Sequence, residues 1–119
     1  MTDCIFCDII AKKAPAAILH EDALVVVIKN IRPLAPTHLL VIPRAHYDSL
    51  NDFTEADAAL AGHLLLTAKT MAERLGVAEA GYRLALNTGL QGGQTIFHVH
   101  LHLLAGKPLG ENLLSTGMV

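Results

Sequence analysis

The residues best equipped for chemistry lie together in Gly92-Gly93-Gln94-Thr95-Ile96-Phe97-His98-Val99-His100-Leu101-His102-Leu103-Leu104. Three histidines alternate there with three aliphatic residues, Val99, Leu101 and Leu103. Successive side chains of a strand point to opposite faces, so the pattern predicts a row of imidazoles on one face and a core surface on the other. An imidazole, with an unperturbed pKa of about 6.5, serves at neutral pH as nucleophile, acid or metal ligand. The glycines just upstream, Gly92 and Gly93, let backbone N–H groups come close to an anion. One reading is phosphoryl transfer, in which one imidazole attacks phosphorus and a second, protonated one acts as acid. The other is a metal site on strand histidines at i and i+2, for which the nearest carboxylate in the sequence is Glu111.

A second group opens the chain. Cys4-Ile5-Phe6-Cys7 has Cys-x-x-Cys spacing, too close for a structural disulfide to be the default reading and suited to half of a tetrahedral zinc site; two reduced cysteines packed as small hydrophobes and a redox pair are the competing readings.

These groups must be positioned by a chain of 119 residues, the size of one domain, read here as residues 1–119. Aromatics are 4% of a composition that is 52% hydrophobic, so the core must be aliphatic. A formal charge of −2 gives no electrostatic reason for a nucleic-acid or membrane partner. Met1-Thr2-Asp3-Cys4 does not begin a basic segment followed by an apolar run, and the expectation is a cytoplasmic protein.

In order, residues 3–13 read as a short helix with Asp3 as N-cap, lysines in the last turn and Pro15 as its end. Ala17 to His20 and Leu24 to Lys29 form a hairpin about Glu21-Asp22, and His38 to Ile42 is a strand stopped by Pro43. Asp48 to Asn51 form a turn. From Thr54, the recurrence of Leu60, Leu64, Ala68, Met71 and Leu75 predicts a long amphipathic helix, opened by Thr54 with Asp57 and stopped by Gly76. Ala56, Ala58, Ala59 and Ala61 offer a flat face, either to a second helix in a dimer or to the chain's own sheet. Tyr82 to Leu86 and the histidine stretch are further strands, and the tail 107–119 has no clear period. The predicted class is α+β, a mainly antiparallel sheet with one long and one short helix.

The segment His98-Val99-His100-Leu101-His102-Leu103-Leu104 resembles the His-x-His-x-His-x-x signature of the histidine triad superfamily. The wider chain is similar to its nucleotide-binding phosphoramidase branch: Ile5-Phe6, Asn30-Ile31 with Pro33, Ala35-Pro36-Thr37-His38, Val41-Ile42-Pro43, Asn87 and Gly92-Gly93-Gln94 fall in the same order. The resemblance implies a HIT-like fold and a homodimer with a nucleotide site in each subunit. It implies hydrolysis of purine nucleoside phosphoramidates, such as adenosine monophosphate linked to an amine, through a covalent nucleotidyl-histidine.

By the same resemblance His100 is the nucleophile, His102 binds and neutralises the phosphate, and His38 and His98 complete the network behind them. Asn87 donates to the phosphate, Gly93 and Gln94 are further nucleotide contacts, the Thr95 hydroxyl bonds the phosphate or the leaving nitrogen, and Ile5, Phe6, Ile28 and Ile31 surround the purine. Asn30 stands where the family usually has Asp accepting from the ribose hydroxyls, and an amide offers only one carbonyl acceptor. Cys4, Cys7, His46 and His98 fit a structural Zn²⁺, while catalysis requires no cofactor. Leu104, aliphatic where dinucleoside polyphosphate hydrolases carry Gln, favours the phosphoramidase branch over that second enzyme class. Two non-enzymatic roles compete with both: a nucleotide-binding signalling partner with little turnover, and a zinc-organised structural module. His20, His63, Tyr47, Lys107 and Glu111 match nothing in the family pattern.

Overall fold

The computed structural model describes residues 3–110, so most of the predicted tail lies outside the described residues. Helix α1 is Ile5–Ile10, followed by strands β1 (Ile18–Glu21), β2 (Val25–Lys29) and β3 (Thr37–Pro43). Helix α2 is Ala58–Arg74, and strands β4 (Tyr82–Ala85) and β5 (Leu101–Ala105) close the described chain. All pairings are antiparallel, in the order β1-β2-β3-β5-β4. The predicted α+β class is the one observed.

The sheet has helices on both faces, and strand alternation divides the core. Val25 and Val27 of β2, Leu39 and Val41 of β3, and Leu101 and Leu103 of β5 pack with Leu64, Ala68, Met71 and Ala72 of α2. Val26, Ile28, Leu40 and Ile42 meet Phe6 and Ile9 of α1 on the other side. This second face also carries His38 and His102, because each alternates with a residue of the α2 core.

Several boundaries differ from the sequence reading, each for a local reason. Only Leu101–Ala105 is strand, so His98 and His100 precede the ladder. The inward alternation survives, since Val99, Leu101 and Leu103 are all in the α2-side core. Helix α1 is shorter than predicted: Cys4, not Asp3, is its N-cap, with Sγ accepting the Cys7 N–H, and it ends before the lysines. Lys12 there takes φ 62°. Between Ser49 and Ala58 the chain makes two 3₁₀ turns, Leu50–Asp52 and Glu55–Asp57, and the predicted Thr54–Asp57 capping box is formed. Leu75, predicted on the buried stripe, is exposed just past α2. Ala56, Ala58 and Ala59 also face away from the sheet.

His20 and His63, unplaced by the sequence, converge on one carboxylate. Their Nε2 atoms donate to Asp22 Oδ2 at 3.0 and 2.8 Å, while Asp22 Oδ1 accepts from the N–H groups of Leu24 and Val25. Helix α2 is thereby tied to the β1–β2 turn. Burial alone would raise the Asp22 pKa, but the hydrogen bonds from His20, Leu24, His63 and Val25 outweigh it and hold the carboxyl far below the usual range. Tyr47, also unplaced, donates its hydroxyl to Asp57 at 2.7 Å.

Two expectations follow. Leu64→Ala, on the buried face of α2, should cost about 2–5 kcal/mol in urea unfolding, whereas Glu73→Ala, which removes only an exposed pair with Lys69, should stay within about 0.5 kcal/mol. Because the folded pKa of Asp22 is depressed, its stabilisation is complete above the unfolded carboxyl pKa of about 3.9 and is lost as pH falls from there toward the folded value. The stability gap between the wild type and Asp22→Asn should therefore shrink as pH falls below about 4, as followed by denaturant unfolding at each pH.

Candidate active site and metal centre

The β3–β5 register pairs His38 with Leu104 and Leu40 with His102, which sets the two imidazoles diagonally on the α1 face. There the hydrogen-bond partners assign the tautomers. The backbone N–H of Leu34 donates to His38 Nδ1 at 3.1 Å, so the proton of neutral His38 is on Nε2. That atom is 2.9 Å from His102 Nδ1, which must accept, and the His102 proton is consequently on Nε2. Burial pushes the His38 pKa down, which favours its neutral form in this relay.

His100 has the opposite tautomer. Its Nδ1 donates to the His98 carbonyl at 2.7 Å, which puts the lone pair on Nε2. The rings of His100 and His102 lie with centroids 5.0 Å apart, which brings an imidazole with its lone pair on Nε2 beside one with its proton there. Phe6 meets the His100 ring edge-on at 5.0 Å.

Beside these rings is a cavity of about 300 Å³ lined by Ile5, Phe6, Ile28, Asn30, Ile31 and Leu40 among others. That is the lower end of the size range of small-molecule sites, with the apolar lining suited to a purine face. All four predicted base contacts thus share one cavity, although Ile31 is 88% exposed and Phe6 and Ile28 are also core. Asn30 stands between cavity and relay, with Oδ1 accepting the Arg32 N–H at 2.9 Å and Nδ2 3.3 Å from His38 Nε2.

The glycine loop differs from expectation. The N–H groups of Gly92 and Gly93, predicted to face an anion, close turns onto the carbonyls of Gly89 and Leu90, and the Gln94 N–H likewise bonds the Gly89 carbonyl. Gly92 is required sterically, since a Cβ there would collide with the Thr88 carbonyl, and Gly93 takes φ 87° beside the Asn87 amide. Gln94, predicted to touch the nucleotide, is enclosed and bonded internally through both ends of its carboxamide. Thr95 is exposed on a neighbouring cavity, shared with Cys4, Ile5, His46, Ile96 and Phe97.

Across His98 from the relay lies the sulfur–imidazole group. Cys4 Sγ and Cys7 Sγ are 3.3 and 3.6 Å from His98 Nδ1. Cys7 Sγ is 3.3 Å from His46 Nδ1, and the two Nδ1 atoms are 3.0 Å apart. His46 Nε2 donates to Asp48 Oδ1 at 2.7 Å and His98 Nε2 to the Pro43 carbonyl at 2.8 Å, so both Nδ1 lone pairs face inward. Two lone pairs facing each other beside two sulfurs make an arrangement that a cation resolves. Ligand bonds of 2.0–2.3 Å in a tetrahedron give edges of roughly 3.3–3.8 Å, close to the spacing observed. Cys4, Cys7, His46 and His98, their donor atoms all within 4.8 Å of one another, could hold a metal ion. Burial, then the neighbouring Cys4 and Asp8, push the Cys7 thiol up to about 11 in the absence of a cation, and a bound ion reverses that by favouring thiolate.

Asp48 was not singled out from the sequence. Its signal was its place two residues after His46, because a metal-bound histidine commonly gives its other N–H to a carboxylate.

Taken with the fold, the arrangement matches one class of protein. The HIT domain matches residues 11–109, and the chain belongs to that family. It is 41% identical over 114 residues to the purine nucleoside phosphoramidase of Escherichia coli (strain K12), with 96% of each chain covered. Among solved structures it is similar to a HIT family hydrolase from Clostridium thermocellum, with TM-score 0.92, 42% identity and coverage of 96% of this chain and 99% of that one. A Zn-bound histidine triad family protein from Mycobacterium smegmatis superposes with TM-score 0.76 at 32% identity, covering 94% of this chain and 80% of that one.

The metal centre predicts a stoichiometry. The chain should bind one divalent ion, measured by elemental analysis after dialysis, and Cys7→Ala should abolish retention of that ion while leaving the circular dichroism spectrum of the sheet in place.

Proposed function

We propose that this protein is a nucleotide-binding hydrolase that cleaves the P–N bond of purine nucleoside 5′-phosphoramidates. The observation that carries the reading is the opposite protonation of His100 and His102, a lone pair on one Nε2 and a proton on the other, beside an apolar cavity. The likeness to a purine nucleoside phosphoramidase supports it.

In this reading the base lies in the cavity near Phe6 and Ile28, and the α-phosphate reaches the histidines. His100 Nε2 attacks phosphorus, the bond to the amine breaks, and the amine leaves with a proton drawn from solvent. His102 Nε2–H and the Asn87 amide donate to the phosphoryl oxygens as charge develops on them. The exposed Thr95 hydroxyl is available to the departing amine. Water then attacks the nucleotidyl-histidine, releases the nucleoside monophosphate and restores His100. His38 holds the His102 tautomer, and the His98 carbonyl holds that of His100.

Zn²⁺ is the proposed ion on Cys4, Cys7, His46 and His98: the Cys₂His₂ donor set suits it, and a Zn-bound relative has the same fold. Bound there, it supplies charge that keeps the thiols ionised and the two imidazoles oriented. We further propose a single domain over residues 1–119, a cytoplasmic homodimer, and no nucleic-acid or membrane partner. No helix among the described residues is long and apolar enough to cross a membrane.

The test is release of amine from an adenosine 5′-phosphoramidate. His100→Ala should lower kcat by about 10³-fold or more with nucleotide affinity largely retained, and His102→Ala by about 10²-fold. Equal turnover by His100→Ala and wild type would sink the nucleophilic assignment.

A further inference from the structure

Gln94 is a buried polar group whose side chain has no part in the proposed reaction. It is 1% exposed, and its carboxamide makes three bonds. Oε1 accepts from the Gly89 N–H at 2.9 Å and Nε2 donates to the Ile96 carbonyl at 3.1 Å, which closes the glycine loop on itself. The third bond leaves the loop: Nε2 also donates to the Asp48 carbonyl at 2.6 Å. The carboxylate of that same Asp48 accepts from His46 Nε2, and His46 Nδ1 faces the two cysteines and His98. A continuous path therefore runs from the sulfur–imidazole group through His46, Asp48 and Gln94 to the loop that carries Gly93 beside the Asn87 amide. It is separate from the path through the His98 carbonyl to His100.

We propose that the metal cluster and the nucleotide phosphate subsite are thermodynamically coupled through the Asp48–Gln94 clasp, so that an ion on the cluster and a phosphate beside Asn87 and Gly93 each strengthen the other's binding. The physical reason is entropic. Glycine-rich backbone has many conformations, and whichever ligand orders the His46–Asp48 segment or the loop first removes part of the ordering cost for the second. Linkage then requires the two effects to be equal. Gln94 is a positioning residue here, acting through the loop without touching substrate. The consequence for turnover rests on the phosphoramidase reading; the coupling itself is a binding property.

The experiment measures adenosine monophosphate binding by calorimetry with the protein zinc-loaded and chelator-stripped, and zinc affinity by competition with and without the nucleotide. Zinc should tighten nucleotide binding about fivefold or more, and the nucleotide should tighten zinc binding by the same factor. In Gln94→Met, which retains the side-chain length and lacks the amide, both factors should fall toward one. Asp48→Ala guards against misfolding of that variant, because Asp48 is mostly exposed; it should weaken zinc about 10–100-fold and also reduce the coupling. Nucleotide affinity that ignores zinc in the wild type, or a coupling factor unchanged in both variants, would overturn the proposal. Failure of the nucleotide to bind either form would overturn the proposed function as well.

Discussion

The structure around the histidines depends on one fully enclosed residue, His98, and on the backbone acceptor it satisfies. Strand β3 runs on to Pro43, but β5 pairs with it only as far as Leu101 opposite Val41. Beyond that point the Pro43 carbonyl has no ladder partner on the β5 side, and the His98 ring donates to it in place of a backbone N–H. Once Nε2 is held there, Nδ1 must face the cysteines and His46, and the His98 carbonyl is left in reach of His100. A single buried imidazole thereby fixes the orientation of the candidate metal-binding group and the tautomer of His100.

Burial has a consistent chemical effect across this region. The His38 and His98 pKa values are both lowered, mainly because removing an imidazole from water disfavours its charged form. Neutral rings have one donor and one acceptor each, and a chain of such rings carries a defined direction. Starting from the Leu34 N–H, every proton in the relay points the same way, toward the place proposed for phosphate. Protonation of His38 at Nδ1 would set a second donor against the Leu34 N–H and break that direction, which its lowered pKa disfavours.

The two faces of the sheet divide the work. On one, α2 buries Leu64, Ala68, Met71 and Ala72 against aliphatic side chains, and His63 ties it to Asp22 at the rim. On the other, α1 covers only part of the sheet, and the uncovered part forms the cavity beside His38, His100 and His102. Phe6 belongs to both arrangements, as a core residue under α1 and as the ring against His100 and His98. A short helix is what leaves room for a ligand there.

Sequence by itself determined the chemistry and the class of fold. Alternation of His98, His100 and His102 with aliphatics, the helical period from Leu60 to Met71 and the capping pair Thr54 and Asp57 are local signals, and local geometry translates them directly. It also placed Cys4, Cys7, His46 and His98 in one proposed centre, by resemblance. Only the tertiary structure decided that β5 starts at Leu101, that Gln94 turns inward and that Asp48 backs His46. It alone decided which nitrogen of each ring holds its proton, because that depends on acceptors such as Pro43, 55 residues away in the chain from His98. Long-range partners of this kind leave no periodic trace, since any residue's carbonyl can serve once the fold brings it within about 3 Å.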